Sequence, residues 1–414
     1  MPPATPLIIG IYAHSFPVWS ETFIVTKVLG LLEQGFDVQI FVAAPSQHWD
    51  RFDILKNRPD VRARVHAPLP FSGSAVVTSG LPRLLGIAVR HPAAFARFLA
   101  HCWRWRGENP LGFLKAVYTR AHFVGPRLDI LHIEFDTQGL SIVDLKHYFG
   151  SKLLLSSRSS YEQSSVIDRF PDAPRTLYRH ADGYHFISRF LQAAAARLGL
   201  PPSTPWWLIQ PAIDLSVFTG RDPATHKAEG APLRLLSVGR LHWQKGYEFA
   251  IDAVALVKAA GVAVEYVILG EGSYREAIEF AAAHYGLLED GTVKLLGSVP
   301  REAVPTYLKE ADIFVHAALE EGFANAVIEA QASGLPVVTS DAGGLPENVE
   351  DGVTGFVVPR RDARAMAEKI LALAGDPALR ERMGQAGRRR ALDVFDIRRQ
   401  IDSFADLYRE LAGR

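Results

Sequence analysis

Short runs of β-branched and aliphatic residues alternate with longer amphipathic stretches along most of this chain, and Gly or Pro closes nearly every one. That alternation dictates open α/β sheets. Each apolar run is buried on both faces as a parallel strand, and the stretch after it returns over the sheet as a helix. In the first half, residues 7–12, 38–43, 130–134 and 152–156 read as strands. Residues 21–34 read as the helix between the first two, with Gly35 at its C′ position, which completes a βαβ unit. In the second half the strands are 234–239, 265–269, 293–296, 313–316, 336–339 and 355–358. The helices between them are 247–260, 273–285, 304–310, 326–333 and 363–374.

At 414 residues the chain is long enough for two such domains. The polar, Pro- and Gly-rich stretch within 211–232 precedes a fresh strand and marks the division. The domains expected are 1–215, 216–396 and a terminal amphipathic helix over 397–414 that crosses back to the first, burying Phe404, Leu407 and Leu411. Two α/β domains joined by a linker create a cleft, and ligands of such sheets bind outside the carboxyl ends of the strands.

Composition narrows the function. Lys plus Arg and Asp plus Glu number 45 each, a balance that argues against general nucleic-acid binding. The single cysteine, Cys102, forms no internal disulfide and no Cys-based metal cluster, and it fits a reducing cytosol. The N-terminal residues lack a basic export region, and no run reaches the roughly 18 apolar residues of a membrane span. A cytoplasmic protein is expected, peripheral on the inner face of the cell membrane where it meets one.

Two strand-to-helix loops carry the chemistry. In Ser237-Val-Gly-Arg-Leu-His-Trp-Gln-Lys-Gly246, Arg240 and Lys245 are five apart in a loop punctuated by Gly239 and Gly246. Two cations beside a helix N-terminus suit a diphosphate, and so does the plainer reading of a solvated loop. The P-loop spacing is missing. In Glu320-Glu-Gly-Phe-Ala-Asn-Ala-Val-Ile-Glu-Ala-Gln-Ala-Ser-Gly334, Glu321 sits in a loop and Glu329 about a turn into a helix. Amides near Phe323–Asn325 open that helix, and the carboxylates can accept hydrogen bonds from sugar hydroxyls. Spacing alone also fits a solvated helix face.

Together these motifs resemble the retaining glycosyltransferases of family 4, which have the GT-B fold of two Rossmann-like domains. The stretches 181–188, 208–218, 340–347 and 351–358 are similar to further parts of that family. Residues 15–24 are similar to its bacterial members that build exopolysaccharides. The resemblance implies a hexose transfer from a nucleotide sugar, UDP- or GDP-linked, to a glycan or lipid-linked glycan, with retention of configuration and without an essential metal. It implies that Arg240 and Lys245, with Gly239 between strand and loop, clamp the diphosphate. Glu329 would accept the ribose hydroxyls, and Glu321 with the backbone of Gly322, Phe323, Ala324 and Asn325 would hold the sugar. Backbone near Leu296 and Val299 would read the base, and Glu21 within Ser20–Thr22 would approach the phosphates. Two other readings stay open: a non-catalytic sugar-nucleotide binding protein, and a GT-B epimerase-like enzyme.

The chain departs from the family on the acceptor side. Where many relatives read His-x-His it has His132-Ile-Glu134, and Ser156–Ser160 stands where many have a His-Gly pair. Glu134 is either a base for the acceptor hydroxyl or a structural strand-end carboxylate. Finally, residues 83–127 hold eight basic residues (Arg83, Arg90, Arg97, Arg104, Arg106, Lys115, Arg120 and Arg127) against one acid, Glu108, with aromatic residues between them. That pattern suits an anionic membrane surface or a helical insertion with a solvated basic face.

Overall fold

The structure is a computed structural model that describes residues 5–18, 21–70, 73–106, 109–159, 170–220 and 230–414. Ser20, Glu108, Ser160 and residues 221–229 of the expected linker lie outside the described residues.

The chain divides into two compact units. The first comprises Met1–Phe186, Ala194–Trp207 and Ile401–Arg414, and the second Ile187–Ala193 and Leu208–Gln400. The second unit therefore begins earlier than residue 216 and takes a short piece of the preceding chain. A local reason is visible: the Glu347 carboxylate accepts the backbone N–H groups of Arg189 and Phe190, both at 2.9 Å, and caps the helix that starts there.

The first unit is built on a seven-stranded sheet. Its strands are β1 (Ile8–Ala13), β2 (Asp37–Val42), β3 (Val65–His66), β4 (Ile130–Ile133), β5 (Lys152–Ser157), β6 (Gly183–Phe186) and β7 (Trp206–Leu208), in the order β3-β2-β1-β4-β5-β6-β7. The second unit holds β8 (Leu233–Val238), β9 (Val264–Leu269), β10 (Val293–Gly297), β11 (Ile313–His316), β12 (Val337–Ser340) and β13 (Gly355–Val358), in the order β10-β9-β8-β11-β12-β13. β1 pairs in parallel with β2 and β4, and β8 with β9 and β11. Their aliphatic residues account for this: Ile9, Ile11, Leu235, Ile313 and Val315 are fully buried, each contributing about 1.5–3 kcal/mol. In both sheets the order reverses beside the first strand, at β1/β4 and at β8/β11. Ligands of doubly wound sheets bind outside the carboxyl ends at these points.

The strands read from sequence are present within a residue or two. β3, β6 and β7 were not read, and neither was the helix Pro377–Val394. The basic segment forms three helices, Leu81–Arg90, Pro92–Arg106 and Pro110–Arg120. Not all of it faces outward: Phe98 and Tyr118 are buried, and Arg120 is buried against Asp144 at 2.6 Å. The last helix, Ile397–Ala412, buries Phe404 and Leu407 as expected. Leu411 is only half-buried, and Ile401 and Tyr408 complete the inner face. No helix among the described residues is long and apolar enough to cross a membrane.

Candidate active site

In the second unit, the loops after β8 and β11 flank the point where strand order reverses, and hydrogen bonds join them. The Gln244 carbonyl accepts the Leu319 N–H at 2.7 Å, and the Gln244 side chain donates to Glu320 at 2.8 Å. Gly246 holds φ +59°, and any Cβ there would drive into the Ala317 carbonyl oxygen, so only glycine lets the loops approach this closely. The Tyr247 hydroxyl donates to the Gly239 carbonyl at 3.1 Å and fixes the start of the loop. Arg240 projects exposed from it.

The approach brings the Lys245 ammonium onto the Glu321 carboxylate. His316, the last residue of β11, places Nε2 3.2 Å from the same Glu321 oxygen. Burial pushes the Glu321 carboxyl up, but Lys245 and His316 outweigh it and hold the group at about 2. Burial also lowers His316, against the pull of Glu321. Glu321 is therefore a carboxylate, and His316 a neutral donor to it.

The Glu321 loop leads into the helix Asn325–Ala332. Gly344 donates its N–H to the Glu321 carbonyl at 2.9 Å. A Cβ on Gly343 or Gly344 would strike the carbonyls of Glu321 and Gly322, so the 340–347 loop lies directly against this one. Phe323 and Ala324 are buried, Gly322 is half-buried and Asn325 is exposed. The expected open amide at Ala324 is taken: Asn348 Oδ1 accepts it at 3.1 Å, and Asn348 Nδ2 donates back to the Ala324 carbonyl at 3.2 Å. Glu329 is half-buried on the second turn. Burial raises its carboxyl to about 7 despite the pull of Arg301. Leu296, the last residue but one of β10, has an exposed side chain, and Val299 beyond the strand is half-buried. Between them the Gly297 carbonyl accepts the Gly270 N–H at 2.8 Å.

In the first unit Glu21 occupies the N-cap position of the helix Thr22–Glu33 without capping it through its side chain. Its Oε2 is buried with no hydrogen-bond partner among the described residues, and burial raises its carboxyl against the pull of Arg158. Glu134 is fully buried just past β4. One carboxylate oxygen pairs with Lys27, and the other accepts from Arg158 Nη2 at 2.8 Å. A base needs a lone pair turned to its substrate, and here Lys27 and Arg158 engage both oxygens, so this geometry favours the strand-end carboxylate of the two readings. His132 is satisfied at both nitrogens, 2.7 Å from the Tyr408 hydroxyl and 2.7 Å from Ser156 Oγ, which in turn meets His185 Nδ1 at 2.7 Å.

The structure thus joins Lys245 to Glu321, sets Arg240 on the same loop, and carries Glu329 on the helix that the Glu321 loop opens. Sequence reasoning gave no role to His316, Lys27 or Arg158. A polar residue closing an apolar strand was the only signal for His316.

Against known proteins, residues 220–390 match the family described as glycosyl transferases group 1. The chain is 31% identical over 379 residues to the amylovoran biosynthesis glycosyltransferase AmsK of Erwinia amylovora, covering 88% of this chain and 89% of that one. In fold it is similar to the sucrose-phosphate synthase of Thermosynechococcus elongatus, with TM-score 0.71 and 20% identity over 98% of this chain and 99% of that one. It is similar too to Anabaena HepE in complex with UDP, with TM-score 0.70 and 17% identity over 97% and 99%.

Proposed function

Because the chain belongs to the group 1 glycosyl transferases and has their GT-B fold, we propose that it moves a hexose from a UDP- or GDP-linked sugar to a glycan acceptor, free or lipid-linked, in bacterial polysaccharide biosynthesis. The observation that carries this reading is the Lys245–Glu321 pair, with Arg240 exposed on the Lys245 loop, at the carboxyl ends of β8 and β11. The relative's role in amylovoran synthesis supports a polysaccharide product, and the UDP held by HepE supports a uridine donor.

The reaction breaks the bond between the anomeric carbon and the β-phosphate oxygen and forms one to an acceptor hydroxyl. Negative charge grows on the departing diphosphate, and Arg240 and Lys245 stabilise it most where it is greatest, in the transition state. Glu321, ionised and fixed by His316, accepts from sugar hydroxyls, and Glu329 accepts from the ribose. The departing phosphate takes the acceptor proton on the face it leaves, so configuration is retained. The two cations supply the countercharge for the diphosphate without a resident metal.

A thermal-shift panel of UDP-, GDP-, ADP- and TDP-sugars tests the donor. At about a hundred times its dissociation constant the true donor stabilises the chain by roughly 2.7 kcal/mol. Lys245→Ala removes that response while the fold persists, and an unchanged shift in the variant would sink the assignment. A product with the donor's own anomeric configuration by NMR, formed at full rate in EDTA, is the expected outcome for retention without metal.

A further inference from the structure

The helix Leu81–Arg90 buries none of its residues completely. Leu84 and Ile87 rest against Leu69, Tyr118 and Ala121, which occupies one side. Another side keeps Leu81, Leu85 and Val89 in water at 43, 66 and 80% exposure. Spaced by four, they form a single stripe along the helix. The next two helices add Trp103 at 60%, Leu111 at 75% and Leu114 at 59%, with the Trp103 ring edge-on to Phe113 at 5.5 Å between them.

An apolar surface this open is unusual for a helix that faces only water. The described charges along these three helices have one sign. Arg83, Arg90, Arg97, Arg104 and Lys115 are all exposed, and between Asp60 and Asp129 the sequence holds a single acid, Glu108. Exposed aliphatics and tryptophan set among arginines match an interface that is apolar beneath and anionic at its surface. A nucleic acid would satisfy the cations but leave the stripe in water.

We propose that the helices within 81–115 dock this protein on an anionic phospholipid bilayer, with Leu81, Leu85 and Val89 sunk below the headgroups and the arginines among the phosphates. The docking is read from this surface alone. Its purpose, holding the enzyme where a lipid-linked glycan is presented, rests on the acceptor reading above.

The test is flotation of the full chain with vesicles of phosphatidylglycerol and phosphatidylcholine, against phosphatidylcholine alone, with no acceptor present. The chain should float with the anionic vesicles only, and added salt should release it. L85E/V89E should lower partitioning at least tenfold, and removing Arg83 or Arg90 about fivefold each. Both aliphatic positions are exposed, so the double variant should keep its unfolding midpoint and its response to the sugar nucleotide. Equal flotation of wild type and L85E/V89E would overturn the proposal, as would equal binding to neutral vesicles. So would a self-association that L85E/V89E abolishes in a chain that ignores vesicles, because that assigns the stripe to a second copy. If the chain floats as expected but no sugar nucleotide shifts it, the donor reading fails and the docking stands.

Discussion

The two carboxylates eight residues apart behave in opposite ways. Glu321 is held at about 2 and Glu329 is raised to about 7, the kind of divergence that marks groups with different tasks. For Glu329 the folded value lies above the unfolded one. The folded chain therefore prefers the neutral acid, and stability falls as pH rises through 7. Glu329→Gln should stabilise the free protein above pH 8, by at most about 3 kcal/mol, and weaken sugar-nucleotide binding. Urea titrations and binding isotherms at pH 6 and 9 measure both. If the ribose bonds to the ionised form, wild-type affinity rises with pH through about 7 and the Gln variant's does not. Glu321 has the opposite sign, because its depressed value adds stability above the usual carboxyl range that is lost as pH falls toward 2. Glu321→Gln should cost about 3 kcal/mol near neutrality, and the gap should close in urea titrations taken down to pH 2–3. The spacing of the pair was legible in the sequence; this divergence was not. It depends on burial and on Lys245 and His316, which the chain brings from 76 and 5 residues away. Lys27 and Arg158 escaped notice for the same reason: nothing local marks a lysine in an apolar helix as the partner of a carboxylate 107 residues on.

Elements were legible where large apolar side chains bury them. Most buried parallel strands read as nearly continuous apolar runs, whereas β3 and β7 are two and three residues long and half-buried or exposed, and β6, though buried throughout, has its run broken by Gly183 and His185. The helix Pro377–Val394 shows why pattern can fail outright. It carries five arginines, and its buried residues are Met383, Gly384, Gly387 and Ala391, so its inner face is nearly invisible as an apolar stripe. Closeness replaces bulk. A Cβ on Gly384 would drive into the Gly334 carbonyl, and one on Gly387 would press on Gln331 at 3.2 Å. Arg388 reaches across to the Ala332 carbonyl and to the Phe218 carbonyl at 3.0 Å. It thereby satisfies a backbone acceptor at the end of the helix that carries Glu329. Gly384→Ala should destabilise by about 1–3 kcal/mol through overpacking. Gly375→Ala, at the end of the preceding helix with open space around it, should be neutral or stabilise by up to about 1 kcal/mol. Paired chemical denaturation curves separate the two, and equal costs would mean that ordinary glycine flexibility, not close packing, governs both.

At the scale of the molecule, the second unit interrupts the chain of the first. Every strand of the first unit's sheet lies within the first 208 residues, yet the unit also takes in Ile401–Arg414, which follows the second unit in sequence. Phe404 and Tyr408 are fully buried there. Tyr408 bonds His132, and Lys27 lies 4.3 Å over the Phe404 ring. The charged cluster around Glu134 is therefore roofed by the end of the chain, which gives that cluster a structural role independent of any acceptor. Every residue proposed to bind the donor, apart from Glu21, belongs to the second unit. Two perturbations should then act on different parts of one calorimetric trace. Phe404→Ala should cost about 3–5 kcal/mol and lower the transition of the first unit. Saturating sugar nucleotide should raise that of the second by roughly 2.7 kcal/mol at a hundred times its dissociation constant. Each effect should persist in the presence of the other. If Phe404→Ala instead abolished the nucleotide response while the second unit still melted as before, the binding energy would depend on the first unit, and Glu21 with Arg158 would be the residues to which that dependence points.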